Sequence, residues 1–158
     1  MYSTVVKHIV LPITDFFLGL AISKELRSLR SVQWYSKEDL INLQRIKLKN
    51  ILLHSYKNIP YYSEIFKKNG VDPEGNPLDQ LKKIPFLTKK LIKNNLPYNI
   101  LDKKRTIYTI EKTSGSSGHQ GVYYLDKTAY SNVIAVQSLW WEWSGFRFGD
   151  KVLQTGMT

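Results

Sequence analysis

The chain has 158 residues and a formal net charge of +10, from 23 Lys and Arg against 13 Asp and Glu. With 42% hydrophobic residues and no cysteine, it is neither a disordered chain nor a disulfide scaffold, and thiolate metal sites and a cysteine nucleophile are excluded. Its three histidines lie far apart, so no metal site is predicted. The absence of cysteine fits a reducing compartment, and we expect a cytoplasmic protein. The charge leaves three classes of partner open: nucleic acid, an anionic membrane surface and a phosphate-bearing ligand.

The N-terminal part, residues 1–35, contains the apolar segment IVLPITDFFLGLAI at residues 9–22. It resembles the apolar region of a signal peptide, but Pro12 and Asp15 interrupt it and no small-x-small cleavage pattern follows. It is also shorter than the ~20 apolar residues that a membrane-spanning helix requires. We predict a packed or peripheral amphipathic element, and a weak peripheral membrane contact through residues 9–22 stays open.

Residues 36–105 are predicted to be helical, with proline and glycine separating short helices. Ser36 starts a capping-box pattern, because its hydroxyl can accept a hydrogen bond from an early backbone N–H of the next helix. The expected helices run from 37 to about 57, from 61 to 68, and from 89 to about 93 after an N-cap at Thr88.

Residues 106–158 change in character, because β-branched and aromatic residues become frequent. TIYTI at 106–110 and VYYL at 122–125 predict two strands, and residues 151–154 predict the start of a third. A helix capped by Asp126 or Thr128 is expected between the second and third of these strands. The chain is therefore assigned to the α/β class, with the helical part first and an incomplete α/β domain after it.

The last predicted helix runs to about Ser144, where Gly145 ends it. Its apolar residues recur at three- and four-residue spacing, which predicts that one face packs in the core. The residues of this face are Val133, Val136, Trp140 and Trp143.

The loop at residues 113–121, TSGSSGHQG, separates the first two strands. Glycines let successive backbone N–H groups point toward one anion, and hydroxyls add donors without bulk. The preceding residues 82–112 carry nine basic residues against two acidic ones, which is +7 of the net +10. The loop fits neither a Walker P-loop, since no Lys follows its glycines, nor a dinucleotide fingerprint, since it leads into a strand. An ordinary Ser/Gly connector is the alternative interpretation.

Six segments carry a resemblance to a known superfamily. The loop resembles the phosphate-binding loop of adenylate-forming (AMP-binding) enzymes. The N-terminal stretch with Leu11-Pro12 and the turn ending in Gly149-Asp150 resemble CapK-type proteins, which are associated with capsular polysaccharide biosynthesis. The segments similar to phenylacetate–CoA ligase-like proteins are Gln33-Trp34 with Ser36-x-Glu-x-Leu40, Asn58-Ile-Pro-Tyr-Tyr62 and Ile84-Pro-Phe-Leu-Thr-Lys89.

The resemblance implies a ligase reaction in which a small-molecule carboxylic acid and ATP form an acyl-adenylate, usually followed by transfer to coenzyme A. ATP, Mg²⁺ and CoA are thus implied, with the loop binding the ATP phosphates. Its implied phosphate-binding residues are Thr113, Ser114, Gly115, Ser116, Ser117 and Gly118. The loop departs from the usual pattern in having Gln120 and Gly121 where many members have Pro-Lys, so the upstream basic residues are candidates for the missing charge.

Members of this superfamily are much longer, and their adenine, ribose and acyl sites and catalytic lysine follow the phosphate loop. The chain is therefore expected to be an N-terminal fragment that is inactive alone, and no catalytic residue is assigned. The alternative functions are a basic nucleic-acid-binding module and a peripheral-membrane scaffold. Signatures of nucleic-acid-binding modules are absent from the sequence, so nucleic acid is not an expected partner.

Overall fold

The computed structural model describes residues 2–96, 99–113 and 120–151. The described part is mostly helical, with one two-stranded sheet of order β1-β2. In chain order the elements are α1 (Tyr2–Val5), a π-helical segment (Val6–Val10), α2 (Leu11–Leu18), α3 (Ile22–Val32), α4 (Lys37–Asn58), α5 (Pro60–Lys68), α6 (Pro77–Leu81), α7 (Lys89–Asn95), β1 (Thr109–Lys112), β2 (Val122–Leu125) and α8 (Lys127–Trp143). This content is compatible with the predicted α/β class.

The predicted helix starts are confirmed by their caps. The side chains of Ser36, Thr88 and Asp126 each accept a hydrogen bond from the backbone N–H three residues later, at 3.1, 3.2 and 2.7 Å. These bonds satisfy donors that the first turn of a helix cannot pair internally. After α8, Gly145 has a φ of 90°, a left-handed conformation that residues with a Cβ rarely adopt.

The first predicted strand is displaced, because β1 spans Thr109–Lys112 instead of 106–110. The second strand has its predicted bounds, Val122–Leu125. The predicted start of a third strand at 151–154 falls on residues outside the described ranges, apart from Lys151.

The chain forms two compact units, and the first comprises Met1–Trp34, Ile107–Ile110 and Tyr124–Thr158. Its core lies between α3 and α8, where Leu26, Ala135 and Leu139 are buried and Leu29 and Phe148 pack against them. Ala135 of α8 is fully buried at this contact. Because its side chain is small, α3 and α8 can approach each other closely.

The prediction of which face of α8 packs in the core is wrong. Val133, Trp140 and Trp143 are 51%, 57% and 65% exposed. The buried residues of α8 are Ser131, Ala135, Ser138 and Leu139. The prediction used hydrophobicity alone and therefore placed the larger residues in the core. The two buried serines are tolerated there because each hydroxyl donates to the carbonyl four residues earlier, each at 2.7 Å.

The second unit comprises Tyr35–Thr106 and Glu111–Tyr123. Its core is built from Leu52 of α4, Phe66 of α5 and Val71. The ring of Phe66 stacks on Tyr56 at 6.0 Å between centroids and meets Tyr62 edge-on at 6.1 Å. Pro60 begins α5 directly after α4, so the two helices bring their aromatic residues together.

Candidate functional site

The candidate site is the hydroxyl-rich connection between β1 and β2, together with the residues that flank it in the second unit. In the second unit, Thr113 and Gly121 close the base of this loop. The backbone N–H of Thr113 donates to the carbonyl of Gly121 at 3.0 Å, and the N–H of Gly121 donates to Oγ1 of Thr113 at 2.8 Å. The side chain of Thr113 therefore supports the loop in addition to the strand ladder.

In the first unit, the other end of the hairpin is held by aromatic contacts and a backbone bond. The N–H of Tyr108 donates to the carbonyl of Leu125 at 2.7 Å. The ring of Tyr108 meets Tyr130 of α8 edge-on at 5.1 Å, and Nζ of Lys127 lies 5.7 Å from the centre of the Tyr108 ring. The start of β1 is thus fixed against the first turn of α8.

Of the six residues predicted to bind phosphate, Thr113 is described and lies exposed at the end of β1. The other five, Ser114, Gly115, Ser116, Ser117 and Gly118, lie outside the described residues, and their assignment stays a prediction. Gly121 was noted in the sequence only as a departure from the family's loop, and its pairing with Thr113 was missed. The available signal was its position beside the second strand, opposite a threonine at the end of the first.

Three of the basic residues preceding the loop contact other parts of the second unit. Nζ of Lys83 donates to the carbonyl of Gly70 at 3.1 Å, and Nζ of Lys104 donates to Oδ1 of Asn58 at 3.2 Å. Lys82 pairs with Asp79 at 3.4 Å. The charge of this segment is thus partly engaged at other places in the second unit.

Asp102 compensates further charge in this segment. Its Oδ2 lies 3.6 Å from Nε of Arg105 and 3.2 Å from Nε2 of His54. Asp102 has 11% of its side chain exposed, so it is a well-enclosed acceptor between two basic groups. By contrast Lys112 is exposed and directly precedes Thr113, which makes it the nearest cation in sequence to the loop.

The described residues contain neither a metal-binding cluster nor a membrane-spanning helix. No group of three or more His, Asp or Glu side chains lies together there in a way that could hold a metal ion. None of the helices described is long and apolar enough to span a bilayer.

Comparison with known proteins gives relatives in one family. The phenylacetate-coenzyme A ligase of Aromatoleum evansii is 30% identical over 129 residues, covering 78% of this chain and 29% of that protein. Protein CapK of Staphylococcus aureus is 30% identical over 118 residues, covering 75% of this chain and 26% of CapK. The phenylacetate-coenzyme A ligase of Escherichia coli K12 is 30% identical over 109 residues, covering 66% of this chain and 25% of that protein. No protein-family model matches the chain.

These relatives confirm the resemblance predicted from the sequence motifs. The chain is similar to phenylacetate-coenzyme A ligases and to CapK over 63–78% of its own length. It spans about a quarter of the length of the curated relatives that it matches.

Proposed function

We propose that this chain supplies the loop that contacts the ATP phosphates in an acid–coenzyme A ligase. In the proposed reaction a carboxylate attacks the α-phosphate of ATP, giving an acyl-adenylate and pyrophosphate, and the CoA thiol then displaces AMP. The observation that carries the proposal is the alignment of four phenylacetate-coenzyme A ligases over 63–78% of the chain.

The proposed role of the loop is electrostatic positioning. Hydroxyls of Ser114, Ser116 and Ser117 and backbone N–H groups of Gly115 and Gly118 would donate to the phosphate oxygens. Donors held in place before the reaction cost no reorganisation when charge moves onto the pyrophosphate leaving group. The pairing of Thr113 with Gly121 supports this proposal, because it fixes the two ends of the loop at the mouth of a hairpin.

Charge near the loop is proposed to come from the chain itself and from the metal that accompanies ATP. Lys112 is the basic residue adjacent to the loop. Mg²⁺ would neutralise phosphate charge when it is bound with the nucleotide, and the described residues contain no acidic cluster that could hold it without the nucleotide.

The adenine, ribose, acid and CoA subsites are proposed to lie in parts of the relatives that this chain does not cover. The chain alone is therefore expected to bind nucleotide through its phosphates, without turning it over. A function in capsular or surface polysaccharide biosynthesis stays a prediction and depends on the likeness to CapK.

The experiment is a calorimetric titration of the 158-residue chain with MgATP. Ser116→Ala and Ser117→Ala should each weaken binding roughly fivefold, the loss of one hydrogen bond. Ser28→Ala, at an exposed serine of α3, is the matched control and should leave the affinity unchanged. Equal affinities in all variants would remove the loop from nucleotide binding.

A second measurement tests the reaction itself. A longer protein that carries this sequence should release pyrophosphate from ATP when a carboxylic acid such as phenylacetate is added, and the 158-residue chain should not. The two serine variants should slow this release in the longer protein. Release that occurs without any acid would contradict acyl-adenylate formation.

A further inference from the structure

Tyr123 of β2 lies beside the base of the hydroxyl-rich loop, in the second unit. A Cβ placed on Gly121 would lie 3.4 Å from Cε2 and 3.4 Å from the hydroxyl oxygen of Tyr123, and 3.5 Å from Oγ1 of Thr113. The phenol hydroxyl and the threonine hydroxyl therefore stand near the same point, the position at which a side chain of residue 121 would begin. Because residue 121 is glycine, no side chain occupies this position.

The position of Tyr123 follows from the alternation of side chains along a strand. Gly121 directly precedes β2, and residues two apart in a strand share a face, so Gly121 and Tyr123 lie on one face and Tyr124 on the other. Tyr123 is 55% exposed, whereas Tyr124 is half-buried. An aromatic ring that covers a neighbouring glycine is a common arrangement in sheets. This packing accounts for the place of the Tyr123 ring but gives its hydroxyl no partner.

Both hydroxyls beside Gly121 can donate a hydrogen bond. Oγ1 of Thr113 accepts from the N–H of Gly121 at 2.8 Å, so its own proton is available to another acceptor. Within the described part of the chain, the hydroxyl of Tyr123 donates to no protein acceptor. Two donors that converge on one space are complementary to a ligand with several neighbouring oxygens, such as a phosphate chain.

We propose that the Tyr123 hydroxyl binds the nucleotide by donating a hydrogen bond to a phosphate oxygen, beside the hydroxyl of Thr113. The proposed contact rests on the proposed function, because its ligand is the phosphate chain assigned to the loop. It adds a donor from a regular strand to the donors of the loop. The strand and the packing of the ring on Gly121 hold this donor in place before the ligand binds, which reduces the reorganisation that binding requires.

The same contact gives glycine a function at residue 121, where many members of the superfamily have lysine. A side chain at this residue would begin in van der Waals contact with the Tyr123 ring and would compete with it for space. Gly121 thus allows the phenol hydroxyl to lie at the base of the loop.

The test is calorimetric titration of the 158-residue chain with MgATP and with magnesium tripolyphosphate, which has phosphates but neither base nor sugar. Tyr123→Phe keeps the ring on Gly121 and removes the hydroxyl alone. It should weaken the binding of both ligands by the same factor, about fivefold or more, the loss of one hydrogen bond. Tyr124→Phe makes the same change on the opposite face of β2 and should leave both affinities unchanged.

Hydrogen exchange of the Gly121 amide separates phosphate binding from a structural role. In the unliganded Tyr123→Phe variant this amide should exchange at the wild-type rate, because the ring and the bond to Oγ1 of Thr113 both remain. Faster exchange in this variant, together with weaker binding, would assign the hydroxyl to support of the loop and would overturn the proposed contact.

Three further results would overturn it. Equal affinities of the wild type and Tyr123→Phe, with weaker binding in Ser116→Ala and Ser117→Ala, would reject the Tyr123 contact and leave the proposed function standing. Weaker binding of MgATP with unchanged binding of tripolyphosphate would place the hydroxyl at the base or sugar. If the wild-type chain bound neither ligand, the contact and the proposed function would both be rejected.

Discussion

Arg30 of α3 and Glu142 of α8 form a two-pronged ion pair across 112 residues of sequence. Nε of Arg30 donates to Oε2 of Glu142 at 2.8 Å, and Nη2 donates to Oε1. Both side chains are mostly enclosed, with 23% and 20% exposed. Beside this pair, Nε1 of Trp143 donates to Oε1 of Gln33 at 2.8 Å, so two polar contacts join the C-terminal ends of the same helices.

Arg30→Lys is expected to destabilise the chain by about 1–2 kcal/mol, because an ammonium cannot reproduce the parallel bonds of a guanidinium. Urea denaturation followed by circular dichroism measures the change. Arg27→Lys, one turn earlier on α3 and exposed, is the matched control and should stay within about 0.5 kcal/mol of the wild type. An equal loss in both variants would show that the pairing geometry is unimportant.

The close contact of α3 and α8 gives a second prediction. Ala135 is fully buried at this contact, so Ala135→Leu must displace α3 or leave its preferred rotamer, at a cost of about 1–3 kcal/mol. Gln137→Leu introduces the same side chain on the exposed side of α8 and should change stability much less. If both variants unfold at the same urea concentration, the contact is loose.

The sequence predicted local structure well, because caps and strand formers act through neighbouring residues. The hydroxyl of Ser36 and the carboxylate of Asp126 lie where those patterns placed them. The α8 face was mispredicted, since burial there depends on how closely α3 approaches and not on the hydrophobicity of Trp140. The burial of Asp15 was not predicted either. Asp15 accepts hydrogen bonds from Ser23 across the turn between α2 and α3, and helical periodicity does not describe contacts across a turn.

For the candidate site, sequence motifs predicted the resemblance to phenylacetate-coenzyme A ligases, which the relatives confirm, but not how Thr113 and Gly121 pair. The pairing of Thr113 with Gly121 depends on strand register, which is set by the whole hairpin. The upstream basic residues were read as one cluster, whereas Lys83, Lys104 and Arg105 each have partners within the second unit. Such pairing depends on tertiary contacts that composition cannot supply.

Tyr62 gives a prediction about alkaline stability. Burial, and to a smaller extent the neighbouring Tyr61, raises the pKa of Tyr62 above its ordinary 10.0. Above about pH 10 the unfolded chain loses this proton while the folded chain retains it, so the free energy of unfolding falls as pH rises toward the folded pKa. Below pH 10 the stabilising contribution is fully present.

Tyr62→Phe should therefore reduce the fall in the free energy of unfolding between about pH 9.5 and pH 11.5. Urea denaturation at a series of pH values measures it, and Tyr35→Phe, at an exposed tyrosine, is the control. A Tyr62→Phe variant with the same pH slope as the wild type would contradict the assignment.

The bond between Thr113 and Gly121 provides the most direct test of the loop's support. Thr113→Val keeps the side-chain shape but removes the oxygen that accepts from the Gly121 N–H at 2.8 Å, whereas Thr113→Ser retains it. The Gly121 amide should then exchange with solvent about fivefold or more faster in the valine variant, the loss of about 1 kcal/mol of protection, and near the wild-type rate in the serine variant. Because fixed loop ends position the phosphate donors, MgATP affinity should fall in the valine variant and stay near the wild-type value in the serine variant.

Unchanged exchange in Thr113→Val would show that the strand ladder alone closes the loop. Faster exchange with unchanged affinity would separate the support of the loop from the binding of nucleotide.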